Sequence, residues 1–331
     1  MDYATAWFYF SAFLLGMYLA FDGFDLGIGT LLAFIKNQRD RDVLVNTIAP
    51  VWDGNEVWFI TWGAGIFAMW PALYATLFST FYLAVWLLAF LFIFRAVGFE
   101  FRNKNKDLWD KLFALVSALI PLVIGVIVGN LVMGIPIDAK GFHGSLLTLF
   151  RPYPLIVGLF VLFAVTWHGA NWGAYKTTGK LQETMRKYAF TFWVLTVVFL
   201  LLTVIGMKIW APLRFERLMT PLGLFLTVVI LVAGLLDGYL IKKGVDKLAF
   251  YISWLAFPLV VGLIYYTMYP YWVISTTDPN FKLSIHDLAA SPLTLQAVLG
   301  VSVILAVIIM TYTLYVYKMF GGKVTEAEGY Y

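Results

Sequence analysis

Nine stretches of this chain are apolar for 20 residues or more, and no other feature constrains its fold as tightly. They run over Trp7–Ile35, Ile48–Trp70, Thr76–Gly98, Leu112–Met133, Tyr153–Tyr175, Tyr188–Trp210, Pro221–Ile241, Phe250–Tyr269 and Leu293–Tyr317. At about 1.5 Å of rise per residue, each reaches across roughly 30 Å of hydrocarbon. Lipid offers backbone groups no partners, so each stretch is expected to be an α-helix. The fold class that follows is all-α: a polytopic integral membrane protein of about nine transmembrane helices. Composition agrees, with 62% hydrophobic and only 13% charged residues, against about 45–50% and about 25% in soluble domains.

The basic residues alternate between sides. With the N-terminus placed outside, the inner loops and C-terminus hold 17 of the 23 Lys and Arg, including Lys36, Arg39, Arg41, Lys176, Lys242 and Lys318. Lys140, Arg151, Lys208, Arg214, Arg217 and Lys282 remain outside. That bias predicts N-terminus out and C-terminus in, and it explains a net charge of +4 without invoking nucleic acid. The Met1-Asp2-Tyr3 start, with no basic residue before Lys36, is unlike a cleavable signal peptide. Cysteine is absent, which removes disulfides, thiolate nucleophiles and Cys-ligated clusters.

Charge inside a spanning helix costs about 2.5–3.5 kcal/mol on insertion scales and marks function by default. Asp22 and Asp25 lie in the inner half of the first helix. The second carries Trp52-Asp53-Gly54-Asn55-Glu56-Val57-Trp58, and its Asp53 and Glu56, three apart, are expected on one face. The third leaves through Arg95-Ala96-Val97-Gly98-Phe99-Glu100-Phe101-Arg102. Acids and a cation are thus expected at one depth on three successive helices. Two readings compete. In one, Arg95 or Arg102 neutralises a carboxylate and ties helix ends together. In the other, carboxylates outnumber cations, share protons and form a relay through Asp25 and Asp53, then Glu56, with Asp22 orienting the first helix.

The motif Asp22-Gly23-Phe24-Asp25-Leu26-Gly27 is echoed by His168-Gly169-Ala170-Asn171-Trp172-Gly173 in the fifth helix. Gly23, Gly27, Gly169 and Gly173 have the small-residue spacing of close helix packing. Two related units are expected, residues 1–135 and 150–270, each of four helices, with a ninth helix at 293–317. Chance is the competing explanation for one short match. His168 and Asn171 read as polar core. Axial haem ligation by His168 is the less favoured alternative, and no metal site is expected. Asp237 and Lys208 are expected to snorkel from helix ends.

These motifs resemble subunit II of the cytochrome bd-type quinol oxidases, the first hundred residues most specifically. The resemblance implies a prokaryotic cytoplasmic-membrane complex that oxidises ubiquinol or menaquinol and reduces dioxygen to water. It implies a partner subunit I carrying two haems b and one haem d, and a small single-helix subunit. Within that family, acids of the first two helices carry cytoplasmic protons; the matching positions here are Asp25 and Asp53. Some members hold a quinone in subunit II. Two further readings stay open on the residues alone: a purely structural subunit, and a free-standing proton-coupled transporter.

Overall fold

A computed structural model describes residues 2–325; Met1 and residues 326–331 lie outside it. The helices are α1 (Tyr3–Leu32), α2 (Gln38–Ile48), α3 (Trp52–Met69), α4 (Pro71–Thr80), α5 (Tyr82–Glu100), α6 (Lys106–Met133), α7 (Leu146–Leu149), α8 (Pro152–Lys176), α9 (Gly179–Trp210), α10 (Pro212–Leu218), α11 (Pro221–Lys243), α12 (Asp246–Met268) and α13 (Pro292–Met319). Two short hairpins join them: β1 (Ile137–Asp138) with β2 (Gly141–Phe142), and β3 (Tyr271–Ile274) with β4 (Lys282–Ser284).

Eight of the described helices are each long and apolar enough to cross a membrane: α1, α5, α6, α8, α9, α11, α12 and α13. The ninth candidate is α3 taken with α4, a pair bent by 116°. Trp70 sits at that bend, where the following proline disfavours helical backbone and Pro71 opens α4. The third apolar run, expected to start at Thr76, therefore starts later. Thr76–Thr80 belongs to α4, and the long helix begins at Tyr82. The first basic loop is also more ordered than a loop. It forms α2, capped by Asn37, which packs Val43, Leu44, Val45 and Ile48 inward.

Helix ends carry local signals. Asp2 caps α1, Thr220 and Pro221 start α11, Ser291 and Pro292 start α13, and Gly244, at φ +70°, closes α11. At one end of the bundle the two hairpins join: Ile135 N donates to Ile274 O at 3.1 Å, and Thr276 N to Ile135 O at 2.9 Å. The other, basic end carries α2.

α1 is the hub. It packs on α3, α6, α8 and α12, while α8 packs on α9, α12, α1 and α6; α5 lies on α6, and α11 on α12. In α1, 72% of the most apolar stretch is buried, against 11% in α13, so α1 is central and α13 peripheral. Two of the buried tryptophans tie helices to distant carbonyls through their one donor. Trp7 Nε1 donates to Leu295 O and Trp70 Nε1 to Ile285 O, both at 2.8 Å.

Candidate functional site

Arg95 on α5 is fully buried and meets two acids from two other helices. Its Nη1 donates to Asp22 Oδ2 at 2.8 Å while Nη2 reaches Asp22 Oδ1, a bidentate grip on α1. The same Nη1 donates to Glu56 Oε1 of α3 at 2.9 Å. The Trp52 ring flanks the guanidinium at 5.9 Å. One cation thus serves two carboxylates, and a third acid lies close by. Asp25 is fully buried, one turn below Asp22 on α1. Its Oδ2 accepts from Asn55 Nδ2 at 2.7 Å, whereas its buried Oδ1 has no hydrogen-bond partner among the described residues.

Asn55 is the joint of this site. Its Nδ2 also donates to the Phe21 carbonyl at 3.2 Å, and its Oδ1 accepts from the Tyr317 hydroxyl at 3.0 Å. Because the Phe21 carbonyl can only accept, it fixes which way the amide points and aims Nδ2 at Asp25, leaving Oδ1 for the Tyr317 hydroxyl. Tyr317 belongs to α13, 262 residues away. The chain beyond it is strapped to the end of α8: Lys176 Nζ donates to Phe320 O, Val324 N to Lys176 O, and Lys323 Nζ to Thr177 O.

The expected constellation is partly brought together. Asp22, Asp25, Glu56 and Arg95 meet. Asp53 does not join them: it is exposed in the first turn of α3, while Glu56 points inward at Arg95. Arg102 also lies apart. It donates to Asp110 and, at 2.6 Å, to Asp42, with Lys106 at 3.0 Å from Asp42 and Arg41 at 3.4 Å from Asp110. This second network pins α2 to α6 at the basic end. Burial pushes the Asp42 carboxyl up, but hydrogen bonds from Lys106, Arg102 and Gln38 outweigh it and hold the group below its ordinary range. Glu100 is exposed at the end of α5.

The fifth-helix motif, on α8, serves packing and polar satisfaction. A Cβ on Gly27 would lie inside the Val165 carbonyl and 2.8 Å from Gly169 Cα, so α1 and α8 cross in backbone contact. Gly23 instead faces Val165 and His168, and Gly173 faces Met185. His168 is fully buried, with Nε2 at 3.0 Å from the Ala20 carbonyl and Nδ1 at 2.7 Å from Ser253 Oγ. Phe24, Phe250 and Phe257 pack around the ring. An axial haem ligand needs a ring nitrogen turned to iron. Both nitrogens are engaged here, so these residues do not fit a haem. Among the described residues, no group of three or more His, Asp or Glu could hold a metal ion. Asn171 donates to Asp237, and this corrects the reading of Asp237 as a snorkelling residue. It is fully buried and held by Trp167 and Asn171.

Sequence reasoning passed over Asn55 and Tyr317. Asn55 stood inside the quoted second-helix motif, flanked by acids; Tyr317 carried no local signal.

A sequence profile described as cytochrome bd terminal oxidase subunit II matches residues 3–320. The probable cytochrome oxidase subunit 2 of Haemophilus influenzae is 33% identical, covering 91% of this chain and 89% of that protein. The cytochrome bd-I ubiquinol oxidase subunit 2 of Escherichia coli K12 is 30% identical, with 93% and 91% covered. The cytochrome bd ubiquinol oxidase subunit 2 of Bacillus subtilis is 29% identical over 97% of each chain. In three dimensions, a chain of the bd oxidase from Geobacillus thermodenitrificans superposes with a TM-score of 0.81 at 17% identity, over 97% of this chain and 99% of that one. With the profile spanning nearly its whole length, this chain belongs to the subunit II family of the cytochrome bd terminal oxidases.

Proposed function

We propose that this chain supplies a proton route from the cytoplasm, through Asp53, Glu56 and Asp25, toward the haems of a partner subunit I in a quinol:dioxygen oxidoreductase. One observation carries the reading. Two carboxyls, Asp22 and Glu56, share the guanidinium of Arg95, a third, Asp25, is buried one turn from Asp22, and among the described residues Asp25 Oδ1 has no hydrogen-bond partner. Excess carboxyls beside one cation share protons, and an unpartnered oxygen is a place to receive one. Asp22, gripped by both guanidinium nitrogens, acts as the pin between α1 and α5. The structural reading therefore fits Asp22 and Arg95, while the relay reading fits Asp25. A free-standing transporter draws no support from the family.

Asp53 supports a place for the partner. On α3 the exposed positions Asp53, Val57, Ile60, Ala64 and Phe67 repeat at spacings of four and three, forming one stripe. A carboxylate at the end of an apolar, membrane-facing stripe needs a polar cover, and subunit I is the occupant this reading implies. A small single-helix subunit, membrane lipid, quinol and dioxygen complete the complex. A quinone, ubiquinone or menaquinone, is a cofactor of that complex, without a site attributed to residues here. The basic end faces the cytoplasm and the hairpin end faces out. The two four-helix units are related repeats. Exchanging α1, α3, α5 and α6 with α8, α9, α11 and α12 turns each main packing pair into another observed pair, which supports that relation.

The test is Asp25→Asn in the assembled oxidase. Turnover with quinol falls about 10²-fold, the scale of a lost proton-transfer group, with haem bands and subunit ratio unchanged; Asp53→Asn behaves likewise. Full turnover in an intact Asp25→Asn complex overturns the relay. Haem loss with normal turnover per haem supports the structural alternative.

A further inference from the structure

We infer that Asp237 is a second proton-binding carboxyl, taking up and releasing a proton inside the α8–α11 half of the molecule. This goes beyond the route through α1 and α3 and does not rest on it.

Asp237 lies six residues before the end of α11 and is fully buried. Its hydrogen-bond partners are neutral. Trp167 Nε1 donates to Oδ2 at 2.8 Å, and Asn171 Nδ2 lies 3.3 Å from Oδ2 and 3.4 Å from Oδ1. Trp167 is 5% and Asn171 1% exposed, so water does not replace these donors. Among the described residues, no ion pair reaches Asp237.

The charged groups of the surrounding helices are engaged elsewhere or lie at the ends. On α8, His168 is bonded to Ser253 and Ala20, and Lys176 to the Phe320 carbonyl. Arg186 of α9 pairs with Asp246 of α12 at 2.7 Å. On α11 itself, Lys242 lies over the Phe190 ring and Lys243 over Tyr239. Glu183, Lys187 and Lys247 are exposed at the basic end. The arginines of α10 sit beyond the opposite end of α11, bonded to carbonyls of the α12 terminus and β3.

Two opposed effects therefore meet on one carboxyl. Three N–H···O contacts from Trp167 and Asn171 hold the anion; burial without a cation favours the neutral acid. A group so balanced changes state by protonation alone. One O–H bond forms on a carboxylate oxygen, no electron moves, and the charge goes from −1 to 0. The contact also has a counterpart in the first half. There the third long helix meets the first through Arg95 and Asp22; here α11 meets α8 through Asp237 and Asn171. A pinned ion pair in one half corresponds to an uncompensated acid in the other.

Infrared difference spectroscopy of the intact solubilised complex tests this, comparing wild type with Asp237→Asn across a pH series in H₂O and D₂O. The expected result is a carboxylic C=O band in wild type that is absent in Asp237→Asn, shifts in D₂O and loses intensity as pH rises. A difference spectrum with no carboxylic band, or a band indifferent to both pH and D₂O, overturns the proposal. Should Asp237→Asn fail to assemble, Trp167→Phe removes one donor to Oδ2 and leaves the acid. The band must then change frequency, and an unmoved band overturns the proposal equally.

Discussion

Arg95 shows what a charge must do to survive in this fold. A buried guanidinium without partners is untenable, and Asp22 with Glu56 supplies them. Arg95→Leu leaves Asp22 buried and uncompensated, which destabilises by about 3–5 kcal/mol. The expected outcome is a lower thermal midpoint and yield of the complex, recovered in large part by adding Asp22→Asn. Equal loss in single and double variants would show that the pair does not hold α1 to α5. At this scale the sequence was readable where chemistry is local. Asp22, Asp25, Glu56 and Arg95 stood out because ionisable groups in apolar runs are rare. Where the outcome depended on a distant helix it was not readable. Nothing near Tyr317 says that it meets Asn55, and nothing near Asp237 says that Trp167 and Asn171 wait for it. Spacing three apart placed Asp53 with Glu56, but the two side chains diverge, one to the surface and one to Arg95.

Among the elements, α2 and the α3–α4 bend depart most from a reading of apolar runs. Hydropathy sees an 11-residue helix rich in charge as a loop. The helix is held because its apolar side covers the bundle while Asp42 meets Arg102 and Lys106. Since the Asp42 carboxyl is held below its ordinary value of 3.8, the stabilisation it provides is complete above that value and is lost as pH falls through the depressed one. Hydrogen exchange in α2 is therefore expected to be slow at neutral pH and to accelerate, relative to the intrinsic rate, only below pH 3.8. In Asp42→Asn it is faster already at neutral pH and lacks that acid step. An α2 equally protected in both proteins would mean that the network does not hold it. The α3–α4 bend was signalled by Trp70-Pro71, yet the apolar run continues across it, so hydropathy placed the next helix start too early.

The whole molecule was the most legible level, because nine long apolar runs admit few arrangements. Their sidedness can be measured directly, since the chain contains no cysteine. A single cysteine at Lys140, in the β1–β2 turn, is expected to react with a membrane-impermeant maleimide in intact cells. One at Lys247 is expected to react only after the membrane is opened. The reverse pattern would invert the proposed orientation and, with it, the side from which Asp25 draws protons.

The bond between Tyr317 and Asn55 also sets an order of events in biogenesis. A ribosome delivers α1 and α3 to the membrane long before α13, so Asp25 and Asn55 are neighbours for most of synthesis without the hydroxyl that satisfies the amide oxygen. The last long helix must insert, and its trailing segment must strap onto α8, before that oxygen finds its donor. The earliest helices thus hold the acids, and the final one completes them: a nascent or truncated chain has the carboxyls of the site without its finished geometry.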